Sequence, residues 1–587
     1  MKKYTKSEIL EILESTDKGR VLSYSADRER VIANPLLKDR LADILGEAEK
    51  MDGMPTPTLP FSSFKRFDID GDRYEYEADY FLRRRKLEAF AIRAWLYERE
   101  EDISALEDII WAVLDEYTWA LPAHLWGDGL KKLQSDGYMV DLFAAETAQT
   151  LSEILVLVGD KLQPIVVERT RRSIRDRVIG RMSERFRWMN WSNNWVAVCG
   201  GCVGMAAIYE SDGEELASIL YTILDSLVRY IGGFSDDGAC LEGIAYWRYG
   251  FGYFIAFAEL LCRRTDGKIN LFDDEKVHKV ASFIQKCILP GGKCVSFSDG
   301  HSSATISLFA TAKLSEIYPD IPLPSLDTVT MRYPEDVDGR FALEVRNLIW
   351  APTALPTDGS GFATHVLEAA EWYVSTSATG TSLAAKAGHN DEPHNHNDVG
   401  SFSICKNGRE LLSDLGCGKY DRDYFLAETR YKILCNASFG HSVPIINGEY
   451  QQPGRDFCAR DVKIDTTGIK MDMSGAYNIP TLESLIREVR FDAESGAATL
   501  TDTYSFASTP DEVLERFITR TIPKIDGRAV MIKSGNEALS IAYPDIVTPS
   551  VVEFDHCTHS GDWVKIYAID FKLTTPEKQF TLKFEMR

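Results

Sequence analysis

The chain holds ten histidines, and four of them crowd together. His389, His394 and His396 stand in GHNDEPHNHNDVG, Gly388 to Gly400, and His441 follows. Asp414, in LLSDLG, ends the apolar run between them. Imidazole with carboxylate is a zinc-binding set, and three protein ligands leave a position for water. A lone histidine is more often an ordinary hydrogen-bonded residue, but four in one neighbourhood beside an acid favour a metal site. His394 and His396 are two apart, so an extended chain would put both rings on one face of a strand. There is no helical HExxH, which argues against a metalloprotease. Cys199-Gly-Gly-Cys202 has redox spacing but no thioredoxin-like βαβ pattern beside it. Small residues packing a helix is the plainer reading.

Two kinds of element must position these groups. The first half reads helical. Leu87, Phe90, Ala91, Ala94 and Trp95 repeat at helical spacing, as do Leu151, Ile154, Leu155 and Val158, and the run from Leu216 to Ile231. Val277, Val280, Phe283 and Ile284 predict another helix, ending before Pro290. From roughly residue 360 the period changes to two. Phe402 and Ile404 alternate with polar neighbours, Asn407-Gly408 supplies a hairpin turn, and Ile445-Ile446-Asn447-Gly448 predicts a second. Helices first and strands second predict an α+β multidomain chain, with a helical domain over 1–350 and an antiparallel β domain over 351–587. The stretch Trp350 to Phe362, rich in Pro, Gly, Thr and Ser, is the expected linker.

Bulk properties narrow the function. A chain of 587 residues exceeds the roughly 250–300 that one core sustains. A net charge of −23 argues against nucleic acid as a partner, and a polyanionic substrate would need cations clustered in its cleft. A short or weakly charged acidic glycan suits this charge better than a highly sulfated one. The N-terminal segment has no apolar signal region and no long apolar span follows, so a cytoplasmic protein without membrane association is expected. Eleven cysteines without framework spacing fit free thiols in a reducing compartment.

The segment HNHNDVGSFSICKNGRELLSDLGCGKY, followed by ETRYKILCNASFGHSVPIING, resembles the β-domain core of the heparinase II/III-like polysaccharide lyases. NWSNNWVAVCGGCVGMAA from Asn190 and GGFSDDGACLEGIAYWRYGFGYF from Gly232 resemble that family's active-site helices and loops. The likeness covers roughly Asn190 to Gly448. It implies an incomplete (α/α) toroid followed by an antiparallel β-sandwich, and β-elimination at a uronic acid in the cleft between them. A base takes the C5 proton, an acid protonates the leaving O4, and an unsaturated sugar remains. Because an ionised uronate carboxylate makes that proton poorly acidic, a donor must neutralise it.

By family position Asn194 matches the neutralising amide, with Asn193 as the second choice and an expected substrate contact, and Tyr246 matches the catalytic tyrosine. Tyr431 and His394 are alternative bases. Zinc, in a holding rather than Lewis-acid role, carries over to His396, Asp414 and His441, with Asp398 as a partner for the ligand rings. Glu242, His389, Asn390 and Arg430 are expected substrate contacts, and His301 could line the cleft from the helical side. The expected partner is an acidic oligosaccharide or polysaccharide, and self-association stays open. A catalytically inactive sugar-binding relative and a zinc-dependent glycoside hydrolase are the competing readings. No carboxylate pair stands out for an ordinary glycosidase.

Overall fold

The computed structural model describes residues 1–21, 25–125, 129–131, 133, 138–303, 306–326, 328–335, 338–357, 362–574 and 579–586. Helices fill the first part and antiparallel sheets the second. The helical half ends with helix Phe341–Ile349 and contains one short antiparallel pair, Ile288–Leu289 with Lys293–Cys294, while the strands of the second half begin with Thr364–Leu367. Residues 358–361 of the expected linker lie outside the described residues. No helix among the described residues is long and apolar enough to cross a membrane.

Helix Asn194–Glu210 lies in the middle of the helical half and is buried along almost its whole length. Its glycines make that possible. A Cβ at Gly204 would meet the Phe257 ring at 2.3 Å, and one at Gly201 would meet the Tyr253 carbonyl oxygen at 2.9 Å. Helix Gly252–Arg264 therefore packs directly against it. Cys199 and Cys202 sit in the same packing as free, buried thiols, and burial pushes both well above the usual thiol range. The long apolar run predicted near residue 220 is helix Gly213–Gly232, with its charged side outward. The helix predicted before Pro290 is broken at Ser282 into Glu275–Ala281 and Phe283–Cys287.

Three larger sheets and a two-stranded pair, His389–Asn390 with Gly454–Cys458, make up the second half. The first runs Thr364–Leu367, Trp372–Thr376, Thr381–Lys386, Phe402–Lys406 and Arg409–Leu412, each antiparallel to the next. An eight-stranded sheet and a four-stranded sheet share its core. The first sheet is buried on both faces, which is why strand Thr381–Lys386 has no exposed residue. Trp372, Val374, Ala384 and Cys405 join the helical core, while Tyr373, Leu383, Ala385, Phe402 and Ile404 join the β core. Trp372 meets Phe283 and Phe297 of the helical half, at ring distances of 5.9 and 5.0 Å.

One buried cation stabilises the loops that leave these sheets. Arg487 is fully buried and pairs with Asp502 and Glu515. Its Nη1 donates to the carbonyls of Gly400 (2.9 Å) and Ser442 (2.8 Å). These positions close the His389–His396 segment and follow His441, so the core charge pins both histidine-bearing loops.

Candidate active site

Three loops meet where the helical half faces the first sheet. One carries Glu242 to Tyr246, one carries Phe297 to Gly300, and one carries Asp414 to Gly416. They touch backbone to backbone through glycine. A Cβ at Gly243 (φ +102°) would meet Gly300 N and Phe297 O, each at 3.0 Å. A Cβ at Gly416 (φ +62°) would lie 2.0 Å from the Gly300 carbonyl oxygen. Only glycine combines that positive φ with such an approach. Ser298 Oγ adds a bond to the Leu241 carbonyl (2.8 Å) and Ser296 Oγ one to the Asp414 carbonyl (3.4 Å).

Asp299 stands at the centre of this junction, fully buried. It accepts hydrogen bonds from His394 Nδ1 at 2.6 Å, His396 Nε2 at 3.0 Å and the Tyr420 hydroxyl at 2.8 Å. The Tyr424 hydroxyl donates to it as well. Burial opposes its charge, but the bonds from His394 and His396 win and hold the carboxyl well below the usual carboxylate range.

Tyr246 lies in the short helical turn Ile244–Tyr246, which leads into a π-helical turn, Trp247–Phe251. Its ring stacks on His394, centroids 4.1 Å apart, and its hydroxyl is 2.9 Å from that of Tyr420. Burial and the nearby Asp299 charge push its phenol well above 10. His394 Nε2 faces Glu242 Oε2 at 3.8 Å. The Glu242 carboxylate accepts from the Asn194 backbone N–H (3.2 Å) and from Asn194 Nδ2 (2.6 Å). Burial raises Glu242 above its ordinary range, partly offset by His394 and Asn194. Asn193 is the helix cap, its Oδ1 accepting from Trp195 N at 3.3 Å. The stretch therefore brings Asn194, Glu242, Tyr246 and His394 into one group.

The other expected residues are placed differently. His394 and His396 do not share a strand. The chain between Asp391 and Gly400 is a loop, and His394 takes a left-handed backbone (φ +57°). That turn replaces the expected strand face and lets both rings reach the same carboxylate. Asp398 is not the partner of the ligand rings, because the Lys386 ammonium claims it at 2.7 Å in a buried ion pair. The Tyr431 hydroxyl accepts from Asn395 Nδ2 at 3.2 Å. Arg430 braces the loop, donating to the carbonyls of Asn395 and Tyr424. Asn390 is buried and bonded to Gln451 and the Gln452 carbonyl. The His389 ring is held by Asp391 N–H, Arg455 and Glu392. His301 contacts Cys417 Sγ at 3.3 Å, and burial lowers it to about 4.

Behind the Asp299 junction lies a donor cluster. One ligand atom each from His396, Asp414 and His441 falls within 4.8 Å of the others, and all three residues are buried. His396 Nδ1, His441 Nδ1 and Asp414 Oδ2 have no hydrogen-bond partner among the described residues. The other ring nitrogens are both taken, by Asp299 for His396 and by the Cys435 carbonyl (2.8 Å) for His441. An acceptor bonded to one ring nitrogen presents the other nitrogen's lone pair, which is how histidine ligands are usually oriented. His441 Nδ1 and Asp414 Oδ2 stand 3.5 Å apart as an ion pair, and with His396 Nδ1 they form a buried nitrogen and oxygen donor set that fits a divalent cation.

No family model matches the sequence, and no curated protein matches it. Solved structures do. A mutant of the heparan sulfate lyase HepC from Pedobacter heparinus aligns with TM-score 0.59 and 16% identity, over 86% of this chain and 76% of that one. A heparinase III aligns with TM-score 0.60 and 13% identity, over 86% and 76%. The chondroitin AC lyase of Streptomyces coelicolor A3, in complex with chondroitin sulphate, aligns with TM-score 0.55 and 12% identity, over 96% and 82%.

The fold is heparinase-like.

On this heparinase-like fold the likeness is one of architecture, since identity stays at 12–16%. Sequence reasoning missed its hub, Asp299, and the two tyrosines that serve it. Asp299 stands two residues before His301 in FSDGHSS, a segment flagged only for its histidine. Tyr420 and Tyr424 are four apart in a tyrosine-rich stretch after Asp414, a helical spacing that carried a readable signal.

Proposed function

We propose that the chain is a lyase that cleaves uronic-acid-containing glycans, of glycosaminoglycan or alginate type, by β-elimination. The observation that carries this reading is the Tyr246–His394 stack beside Asn194 and Glu242. It combines a phenol, an imidazole and an amide donor within one junction. Glycosaminoglycans are the substrates named for the structural neighbours, and the incomplete α/α toroid with a β-sandwich is the architecture that accompanies the reading.

In the proposed reaction Asn194 donates to the uronate carboxylate, oriented by Glu242 through two hydrogen bonds. Neutralising that group makes the C5 proton acidic enough to remove. His394 is the better placed base, because Asp299 occupies its Nδ1 and leaves Nε2 to accept the C5 proton. Tyr431 is the less favoured one, as its hydroxyl is engaged by Asn395. The electrons of the C5–H bond form the C4–C5 double bond, and the C4–O4 bond breaks. Tyr246 gives its proton to the leaving O4. A phenol held well above 10 is protonated at neutral pH, which suits a donor.

We assign zinc to His396, Asp414 and His441, where it would hold three loops of the β half together. The burial of all three ligands argues for that role and against a zinc-activated water reaching a glycan. Incubation with a panel of uronate polymers and their oligosaccharides tests the function. Elimination should raise the ultraviolet absorbance of a conjugated sugar without adding the mass of water. Products heavier by one water would support a hydrolase, and binding without turnover would support an inert sugar-binding protein. Tyr246→Phe should lower kcat by about 10²–10⁴-fold with little change in KM. Full activity in that variant would remove Tyr246 from the mechanism.

A further inference from the structure

We propose that Asp299 is a positioning residue that ties the His396–Asp414–His441 cluster to the reacting groups, one carboxylate oxygen serving each side. The inference rests on the lyase reading above. Oδ1 accepts from His396 Nε2 and from the Tyr424 hydroxyl. Oδ2 accepts from His394 Nδ1 and from the Tyr420 hydroxyl, whose oxygen is 2.9 Å from that of Tyr246. The division is therefore geometric. The metal-ligand ring hangs on one oxygen, and the base and the proton donor's neighbour hang on the other.

The arrangement is also rigid. A carboxylate offers about four acceptor positions, and four donors occupy them here. Turning the group would break every bond at once. Its backbone has no freedom either. Ser298 before it takes φ +58°, and Gly300 after it is held between Gly243 and Gly416. A shift of the His396 ring, such as loss of its metal would permit, must move the carboxylate and with it His394 and Tyr420. Misplacing a reacting group by about 1 Å can cost on the order of 100-fold in rate. The cluster thus sets the geometry of the reaction without contributing a step to it.

Asparagine at this position keeps the shape but offers one acceptor oxygen and an NH₂ that faces donors, so one side of the junction must open. Asp299→Asn in the full chain is the first test, and zinc is the probe. Zinc affinity, read by competition with a chromophoric chelator, should fall about 10–100-fold, as outer-shell substitutions do. With substrate, kcat should fall at least about tenfold while KM stays within about threefold, the mark of lost alignment. Chelating zinc from the wild type should lower kcat similarly, and chelating the Asp299→Asn protein should lower it little further. Tyr420→Phe supplies a second variant that spares Oδ1. It should lose kcat with zinc affinity unchanged.

Wild-type zinc affinity in Asp299→Asn overturns the proposal. So do chelation and substitution effects that simply multiply, or unchanged kcat in Tyr420→Phe. If Asp299→Asn does not fold, the Tyr420→Phe result decides. If the wild type cleaves no uronate glycan, the lyase reading fails, while the zinc affinity of Asp299→Asn still reports on the metal side of the junction.

Discussion

At the scale of single residues, the site is a set of buried polar groups whose ionisation the fold has moved. Glu392 shows the cost most plainly. Burial, opposed by Lys386 and Arg455, pushes it up to about 7 from 4.5. Between those values the folded state holds a proton that the unfolded chain gives up, so stability falls as pH rises from about 4.5 to about 7. Glu392→Gln stays neutral throughout and removes that dependence. Its melting temperature should exceed that of the wild type at pH 8, by an amount on the order of 2 kcal/mol in stability, and match it near pH 4.5. Thermal melts across that range check both limbs, and parallel curves for the two proteins would refute the assignment. Much at this scale was legible beforehand. Crowded histidines beside an acid are rare enough to mark a cluster, and the structure groups the ligand atoms of His396, Asp414 and His441. Asp299 was not legible, because one aspartate among 89 acidic residues carries no signal until four donors are seen to converge on it.

At the scale of elements, the loops matter more than the helices and strands they join. Helical and strand periods could be read directly, since burial of one face imposes them. The double burial of strand Thr381–Lys386 could not be, because a strand covered on both sides loses its alternation. The left-handed turn at His394 was equally hidden, as nothing in HNHND marks one histidine for it. Glycine contacts between loops depend on chain segments far apart in sequence, and they carry a sharp prediction. Gly416→Ala would force a methyl group against the Gly300 carbonyl at a positive φ. It should destabilise the protein by about 2–4 kcal/mol and weaken zinc binding at the proposed site, because the Asp414 loop would be pushed from the Asp299 loop. Ala in place of Gly448, whose Cβ meets nothing within 4 Å, is the comparison, with only the backbone cost of its φ. Denaturant unfolding of the two variants measures the difference, and equal losses would show that loop contact is unimportant.

At the scale of the whole molecule, the proposed function would have a chain of net charge −23 capture an acidic glycan. Long-range repulsion should slow encounter at low ionic strength, and salt should relieve it, since the screening length shrinks from about 30 Å at 0.01 M to about 10 Å at 0.1 M. For an acidic glycan substrate, KM should therefore fall as salt rises through that range. A KM that climbs steadily with salt would point to a strongly cationic cleft dominating the encounter. The two halves meet through the first sheet, whose faces belong to different cores. That sheet is common property. Parting the two halves would strip Trp372, Val374, Ala384 and Cys405 of their cover and leave a flat, sticky surface in place of a domain boundary. The molecule is two architectures by description but one body by construction, and evolution or engineering could not shuffle its second half onto another partner without first redesigning that shared wall.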